Sequence, residues 1–410
     1  MKRHPACLCT TFGWVETGDD KAYRYFPNDS FDKILNTEFF QNKIDDYWIG
    51  VTKVDKLPED APILNKTRQI YAYEIEYIQH ITRATEFTPQ QIIDSTNLLF
   101  DIFIYCLENS MWCNTNMSNI VLKNGKPILI DIGDFSQRNP NPAEIRSSIR
   151  CVFTTPLDVL DNLIGNINEI GDKFDVILNN GMTLIDKFKA AKNELKNCKL
   201  TNKFDNWSNY SIKIPNDILT VKNLFNEKSK VICDIIDNKK PKTMTDLGCN
   251  GGIFSFYANR IYGTNTIGVD YCTASIDFAN KYSRENGFTS SFVYYDILNP
   301  PKAYGINDAF ETVYQRYQSD GVIAPALIHH LYKQNNSITK ILDIISSYAR
   351  EWMLIEFIPH NCAHIKAIPN NWYNTNEFEN HLTSLGFSFK IFDSYPSPRT
   401  WYYCEKKNNK

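Results

Sequence analysis

TMTDLGCNGGIFSFYANRIYGTNTIGVD, residues Thr243 to Asp270, decides the fold. Met244 to Leu247 is a short apolar run of strand type and Gly248, Gly251 and Gly252 form a turn. Ile253 to Ile261 has the spacing of an amphipathic helix, and Thr266 to Val269 is a second strand closed by Asp270. This is half of a βαβ unit of the dinucleotide-binding type. In such units glycines let the backbone approach a ligand, the helix N-terminus attracts negative charge, and an acid about 20 residues on takes a ribose diol. Asp270 stands in that place.

The end of the first strand selects among cofactors. A nicotinamide or flavin site asks for G-x-G-x-x-G cradling a pyrophosphate, whereas this turn carries Asp246 before the first glycine and Asn250 where the second would fall. A carboxylate there repels pyrophosphate and suits a ligand bearing an ammonium and a sulfonium, as S-adenosylmethionine (SAM) does. A third acid, Asp296 in VYYDIL (293–298), follows another apolar strand, where it can accept from an adenine amino group. The bland alternative is three strand-end aspartates that merely cap helices.

Together D-x-G-x-N-G-G, VD and YDIL resemble motifs I, II and III of class I SAM-dependent methyltransferases. The resemblance implies SAM as cofactor. It places Asp246, Gly248, Asn250 and Gly252 on the methionine side, Asp270 at the ribose and Asp296 with Ile297 at the adenine; Cys249, Tyr271 and Ala326 complete the expected donor set.

At 410 residues the chain can hold two cores, since single cores stop growing beyond roughly 250 residues. A net charge of -3 supplies no field to recruit nucleic acid, and the lysine run from 189 to 203 reads as a solvated helix face. Eleven cysteines lack paired spacing, which argues for reduced thiols and a cytoplasmic protein. No apolar run approaches 18 residues and MKRHPACLCTTFGW (1–14) lacks a convincing apolar h-region, so neither secretion nor membrane spanning is expected. No metal is expected: His360, Cys362 and His364 are too tightly spaced for a tetrahedral site.

Taken in order, the first sixty residues read as a small β-containing module. Thr67 to Thr85 and Gln90 to Glu108 read as helices, and Asn124-Gly125 between two apolar runs reads as a hairpin turn. The hairpin lies between Asn114 to Asn119 and Asp131-Ile-Gly133, an arrangement that resembles the catalytic loop and metal-binding D-x-G turn of kinase-like phosphotransferases. Asn114 stands where those folds place the catalytic acid, and it cannot accept a proton. Helices Leu157 to Ile170 and Thr183 to Asn197, then a polar stretch from Asn202 to Asn216, follow.

Both halves together are similar to a bacterial group of SAM-dependent methyltransferases with an N-x-x-x-x-x-G-x-P-x-x-x-D region before the methyltransferase domain. Asn119, Gly125, Pro127, Asp131 and Phe135 carry that likeness, with Trp207, Tyr210, DLGCNGGIFS, ALIHHL (326–331) and IEFIP (355–359). The expected organisation is an α+β, kinase-like N-terminal domain over 1–137, a helical connector or lid over 138–215, and a methyltransferase domain over 216–410. The last should be a Rossmann-like α/β fold, a mostly parallel seven-stranded sheet with an antiparallel edge.

Ligands of such sheets bind beyond the strands' carboxyl ends. A fourth strand, Gly321 to Leu327, leads into Ile328-His329-His330, and a fifth, Trp352 to Phe357, carries Glu356. His330, then His329, are the candidate general bases, with alternation putting them on opposite faces, and Glu356 is a candidate acceptor contact. The expected activity is methyl transfer to oxygen or nitrogen of a small metabolite, natural product or glycan. Two alternatives stay open: a SAM-binding scaffold without turnover, and methylation of tRNA or protein. Oligomeric state is not legible.

Overall fold

The computed structural model describes residues 2–3, 14–17, 21–26, 29–55, 70–133, 135–145, 148, 172–173, 175–177, 179–197, 214–215, 217–224, 227–303, 311–332, 337–359, 361–362 and 374–407. The expected helix Leu157 to Ile170, most of the polar stretch after Asn202, and Trp207, Tyr210, His360 and His364 lie outside these residues. Two compact units divide the chain: Met1–Leu122 with Pro127–Lys203 and Ala303–Glu311, and Lys123–Lys126 with Phe204–Lys302 and Thr312–Lys410.

The first unit holds strands β1 (Lys2–Arg3), β2 (Trp14–Thr17), β3 (Ala22–Phe26), β4 (Val51–Val54) and β5 (Tyr71–Ile75) in one antiparallel sheet of order β1-β2-β3-β5-β4. This corrects the helix expected over Thr67 to Thr85: its described part is β5 and a short 3-10 turn, Ala84–Glu86. Tyr71, Tyr73 and Ile75 alternate with Ala72 and Glu74, and pairing on both sides to β3 and β4 gives that alternation a use that a helix would not. The helix Pro89–Glu108 does form, opened by a capping box in which Thr88 Oγ1 accepts from Gln91 N at 3.1 Å and Gln91 Oε1 accepts from Thr88 N at 2.7 Å. Against it packs the helix Leu184–Lys196, with Phe188 ring centroids 5.9 Å from Phe100 and 5.4 Å from Phe103. The hairpin β7 (Ile120–Lys123) and β8 (Lys126–Leu129) turns through Asn124 at φ 54 and Gly125 at φ 71, the left-handed pair that matches strand twist. β6 (Trp112–Cys113) pairs with β9 (Phe135–Ser136).

The second unit is built on β10 (Thr243–Leu247), β11 (Asn265–Asp270), β12 (Ser291–Tyr294), β13 (Ser319–Ala324), β14 (Ala349–Phe357), β15 (Phe387–Asp393) and β16 (Thr400–Lys406). Their order is β12-β11-β10-β13-β14-β16-β15, parallel throughout except for β16, which runs antiparallel to both β14 and β15. The strands alternate with helices Ile253–Tyr262, Thr273–Asn286, Ile338–Ser347 and Thr375–Ser384. β10 is buried along its whole length, as a central parallel strand covered on both faces must be. The core around it includes Met244, Phe256, Phe292, Trp352, Leu354 and Trp401. Strand order reverses at β10, so the crevice beyond β10 and β13 is the place for a ligand.

One expectation fails here. β13 ends at Ala324, and Ile328–Tyr332 is a short helix, so the two histidines do not sit on a strand end and alternation does not separate them. Their ring centroids are 3.9 Å apart. Pro325 lacks the amide that would continue the ladder, which accounts for the early stop. Val221 to Asp237, whose spacing predicts one amphipathic helix leading into the first strand, is also divided: Ile218–Asn223 is 3-10 and the α-helix runs over Glu227–Lys239.

Candidate functional site at the carboxyl edge of the second sheet

Parallel pairing sets Asp246 opposite Gly268 and Asp270 opposite Tyr294, so two of the three acids reach the same edge of the sheet from neighbouring strands. Between them runs the turn. Gly248, Asn250 and Gly252 take left-handed conformations at φ 71, 49 and 78. At Gly252 a side chain would be excluded twice over, since a Cβ there would stand 2.4 Å from the Phe292 ring. Gly248 faces the fourth strand's loop: a Cβ would lie 3.0 Å from Leu327 Cδ1.

Asp246 is 1% exposed. Its Oδ2 accepts from Ser255 Oγ at 3.0 Å, while Oδ1 is buried without a partner among the described residues. Burial pushes its pKa up to about 7; the Ser255 bond pulls the other way and the nearby Asp270 charge adds to the rise. Asp270 holds the turn: Oδ2 accepts from Asn250 N and Oδ1 from Cys272 N, each at 2.8 Å. Burial raises its pKa too, opposed by the amides of Cys272, Asn250 and Tyr271. A carboxylate has about four acceptor positions, so both oxygens keep capacity for a diol.

Asp296 lies just past β12 and closes its own turn, accepting from Leu298 N at 2.9 Å and Asn299 Nδ2 at 2.7 Å. Ile297 is buried beside it. Tyr271 is 52% exposed, and its ring stacks on Tyr294 at 5.9 Å. Cys249 is buried among the two acids, its thiol pushed well above the ordinary range by burial and then by Asp270 and Asp246. That thiol is an inert packing group.

Beyond β13, Ala326 also sits in the left-handed region, at φ 51. Its amide donates to Glu356 Oε2 at 2.8 Å. Glu356 is fully buried near the end of β14 and takes two further short contacts, from Lys228 Nζ at 2.8 Å and Ser394 Oγ at 2.7 Å, with Arg399 Nη1 at 3.8 Å. His329 is 7% exposed and His330 is more open.

Three residues in this geometry escaped the reading of the sequence. Ser255 reaches Asp246 because the strand, turn and first helical turn fold back on themselves, a contact that the nine-residue spacing allowed but did not announce. Lys228 and Ser394 meet Glu356 across separations of 128 and 38 residues, which no local pattern records.

In the first unit, Asp131 Oδ1 accepts from Gly133 N at 3.1 Å, and Arg24 Nη1 stands 2.6 Å from the same oxygen. Among the described residues no group of three or more histidines, cysteines or acids could hold a metal ion, and no helix is long and apolar enough to cross a membrane.

No protein-family model matches the chain. The nodulation protein NoeA of Rhizobium meliloti is 28% identical over 135 residues, which is 32% of this chain and 28% of NoeA. The match thus spans under a third of either protein. Among solved structures, the magnesium protoporphyrin IX methyltransferase ChlM of Synechocystis, with bound S-adenosylhomocysteine (SAH), is similar over 59% of this chain and 97% of its own. Its identity is 14% and its TM-score 0.33. WbdD is similar over 47% of this chain and 43% of its own, at 16% identity and TM-score 0.35. Likenesses this loose carry no weight for chemistry; the strand order and the acids do.

Proposed function

We propose that the second unit binds SAM and transfers its methyl group to an oxygen or nitrogen of a small metabolite, natural product or glycan. One observation carries the reading. A buried carboxylate, Asp246, keeps an oxygen without a partner at the switch point of a parallel sheet, beside a second acid whose pKa is also raised. Leaving such a group unsatisfied is costly, and a ligand with an ammonium group answers both the orphaned oxygen and the missing counter-charge. SAM fits on its other parts as well. Its ribose diol meets the spare acceptor capacity of Asp270, and the flat base meets Ile297 and the exposed ring of Tyr271, with Asp296 accepting from the amino group.

Bound there, SAM supplies a methyl carbon already activated by its sulfonium leaving group. The residues of the chain then have two tasks. Asp246 and the Gly248 to Gly252 turn fix the donor so that an acceptor lone pair can align behind the methyl carbon. His330, more open than His329, takes the proton of an acceptor hydroxyl or ammonium, with His329 packed against it. Glu356 has no such role in this reading, because both of its oxygens are engaged inside the protein.

Calorimetry with SAH and SAM tests the assignment. Micromolar-range binding is expected in the wild type, and its absence would remove SAM from the account. A second reading, binding without turnover, draws on the first unit, where Asn114 replaces an acid and Arg24 occupies Asp131. It predicts SAM binding with no SAH released from any acceptor pool.

A further inference from the structure

We infer that Glu356 is a positioning residue for the donor pocket: its carboxylate, reaching Ala326 N, holds the turn after β13 in the shape that forms one wall of the site. This rests on the SAM reading above and assigns to that site a residue that touches neither donor nor acceptor.

Glu356 gathers four separate pieces of the second unit. Lys228 comes from the helix Glu227–Lys239, Ala326 from the turn after β13, Ser394 from the residue after β15, and Arg399 from the residue before β16. The loop joining the last two is itself closed, with Ser394 N donating to Arg399 O at 3.0 Å. Every piece lies at the carboxyl edge of the parallel strands, where β16 begins because it runs the other way.

The consequence falls on Ala326. A non-glycine residue at φ 51 is strained and persists only where its surroundings impose it. The 2.8 Å bond to a buried, charge-compensated carboxylate is such an imposition. Holding Ala326 there sends Leu327 against Gly248 and starts the short helix in which His330 N and Leu331 N donate to Leu327 O at 2.9 and 3.3 Å. One carboxylate thereby sets both a wall beside the glycine turn and the placement of the histidine pair.

Two substitutions separate reach from charge. Glu356→Gln keeps an acceptor oxygen at the same distance from Ala326 N but removes the charge facing Lys228; Glu356→Asp keeps the charge and shortens the reach. A positioning role predicts that E356Q is less stable in urea yet binds SAH within about threefold of wild type, while E356D loses roughly tenfold in affinity. Amide exchange of ligand-free wild-type protein gives a readout independent of binding: the Ala326 amide should be protected comparably to Val322 and Ile323, and in E356D it alone should exchange at least about tenfold faster. Unchanged SAH affinity in E356D, or an unprotected Ala326 amide in the wild type, would overturn the inference. If wild-type protein binds no SAH, the donor reading fails while the exchange data still judge the clamp.

Discussion

Each unit carries an acid two residues before a glycine, Asp131-Ile-Gly133 in the first and Asp246-Leu-Gly248 in the second, and the two turns have opposite electrostatic fates. Asp131 is answered from within: Arg24 lies 2.6 Å away, at a site where the carboxylate side chain is 31% exposed. Asp246 is nearly inaccessible, has no cation beside it among the described residues, and keeps one oxygen unpartnered. Even the glycines differ in what closes over them. A Cβ at Gly133 would meet the Arg24 guanidinium at 2.1 Å, and one at Gly248 would meet a Leu327 methyl at 3.0 Å. A D-x-G turn does not by itself call for a cation; what it calls for depends on whether the fold has already supplied one.

The largest expected effect lies on the second turn. Asp270→Ala removes the acceptor that pins Asn250 N and the partner proposed for the ribose, and SAH affinity by calorimetry should fall about 10- to 100-fold. Unchanged affinity would break the comparison at its stronger side. Next comes Asp246→Asn. The folded carboxyl titrates near 7 against an ordinary value of 3.8, so stability present below the unfolded pKa is lost as pH rises toward 7. Urea unfolding of the ligand-free protein should therefore show wild type weakening between those values and D246N weakening less, the difference between the two changing by roughly 4 kcal/mol from pH 4 to pH 8. Ligand binding has the other sign. A cationic ligand prefers the ionised acid, so wild-type SAH affinity should drop toward about tenfold per unit as pH falls below 7, and D246N should flatten that profile.

Smaller effects sharpen the contrast from the first turn. Arg24→Ala strands a partly exposed acid and should cost about 1–2 kcal/mol in urea. Added magnesium should leave the wild-type melting temperature unmoved, because Arg24 already neutralises Asp131; a magnesium-dependent rise would erase the distinction between the two turns. Gly133→Ala should act through the same pair by pushing the guanidinium aside, costing about 1 kcal/mol. Combined with R24A it should add little further, which a double-mutant cycle measures.

Much of the second unit was legible because its signals are local. Three apolar strands each followed by an acid, a glycine turn at one strand end and alternating strand and helix periods leave few topologies, and the observed order obeys them. Where local signals conflict, the reading failed. Tyr71 to Ile75 lies in a segment read as helical and became a strand because β3 and β4 flank it. Reading His329 and His330 as a strand end passes over Pro325, the local signal that stops the ladder four residues before His329, while the left-handed turn at Ala326 has no local signal at all.

The sequence by itself determined which acids sit at strand ends and which glycines free the turn between them, since both follow from periods of two and 3.6 residues and from the missing Cβ. Only the tertiary structure decided what those acids face. Asp131 received an arginine from β3, Glu356 a lysine, a serine and an amide from three other segments, and Asp246 no cation among the described residues. The physical reason is range: backbone conformation responds to the nearest few residues, whereas the charge state of a buried carboxylate depends on groups within about 4 Å in space, however far away along the chain.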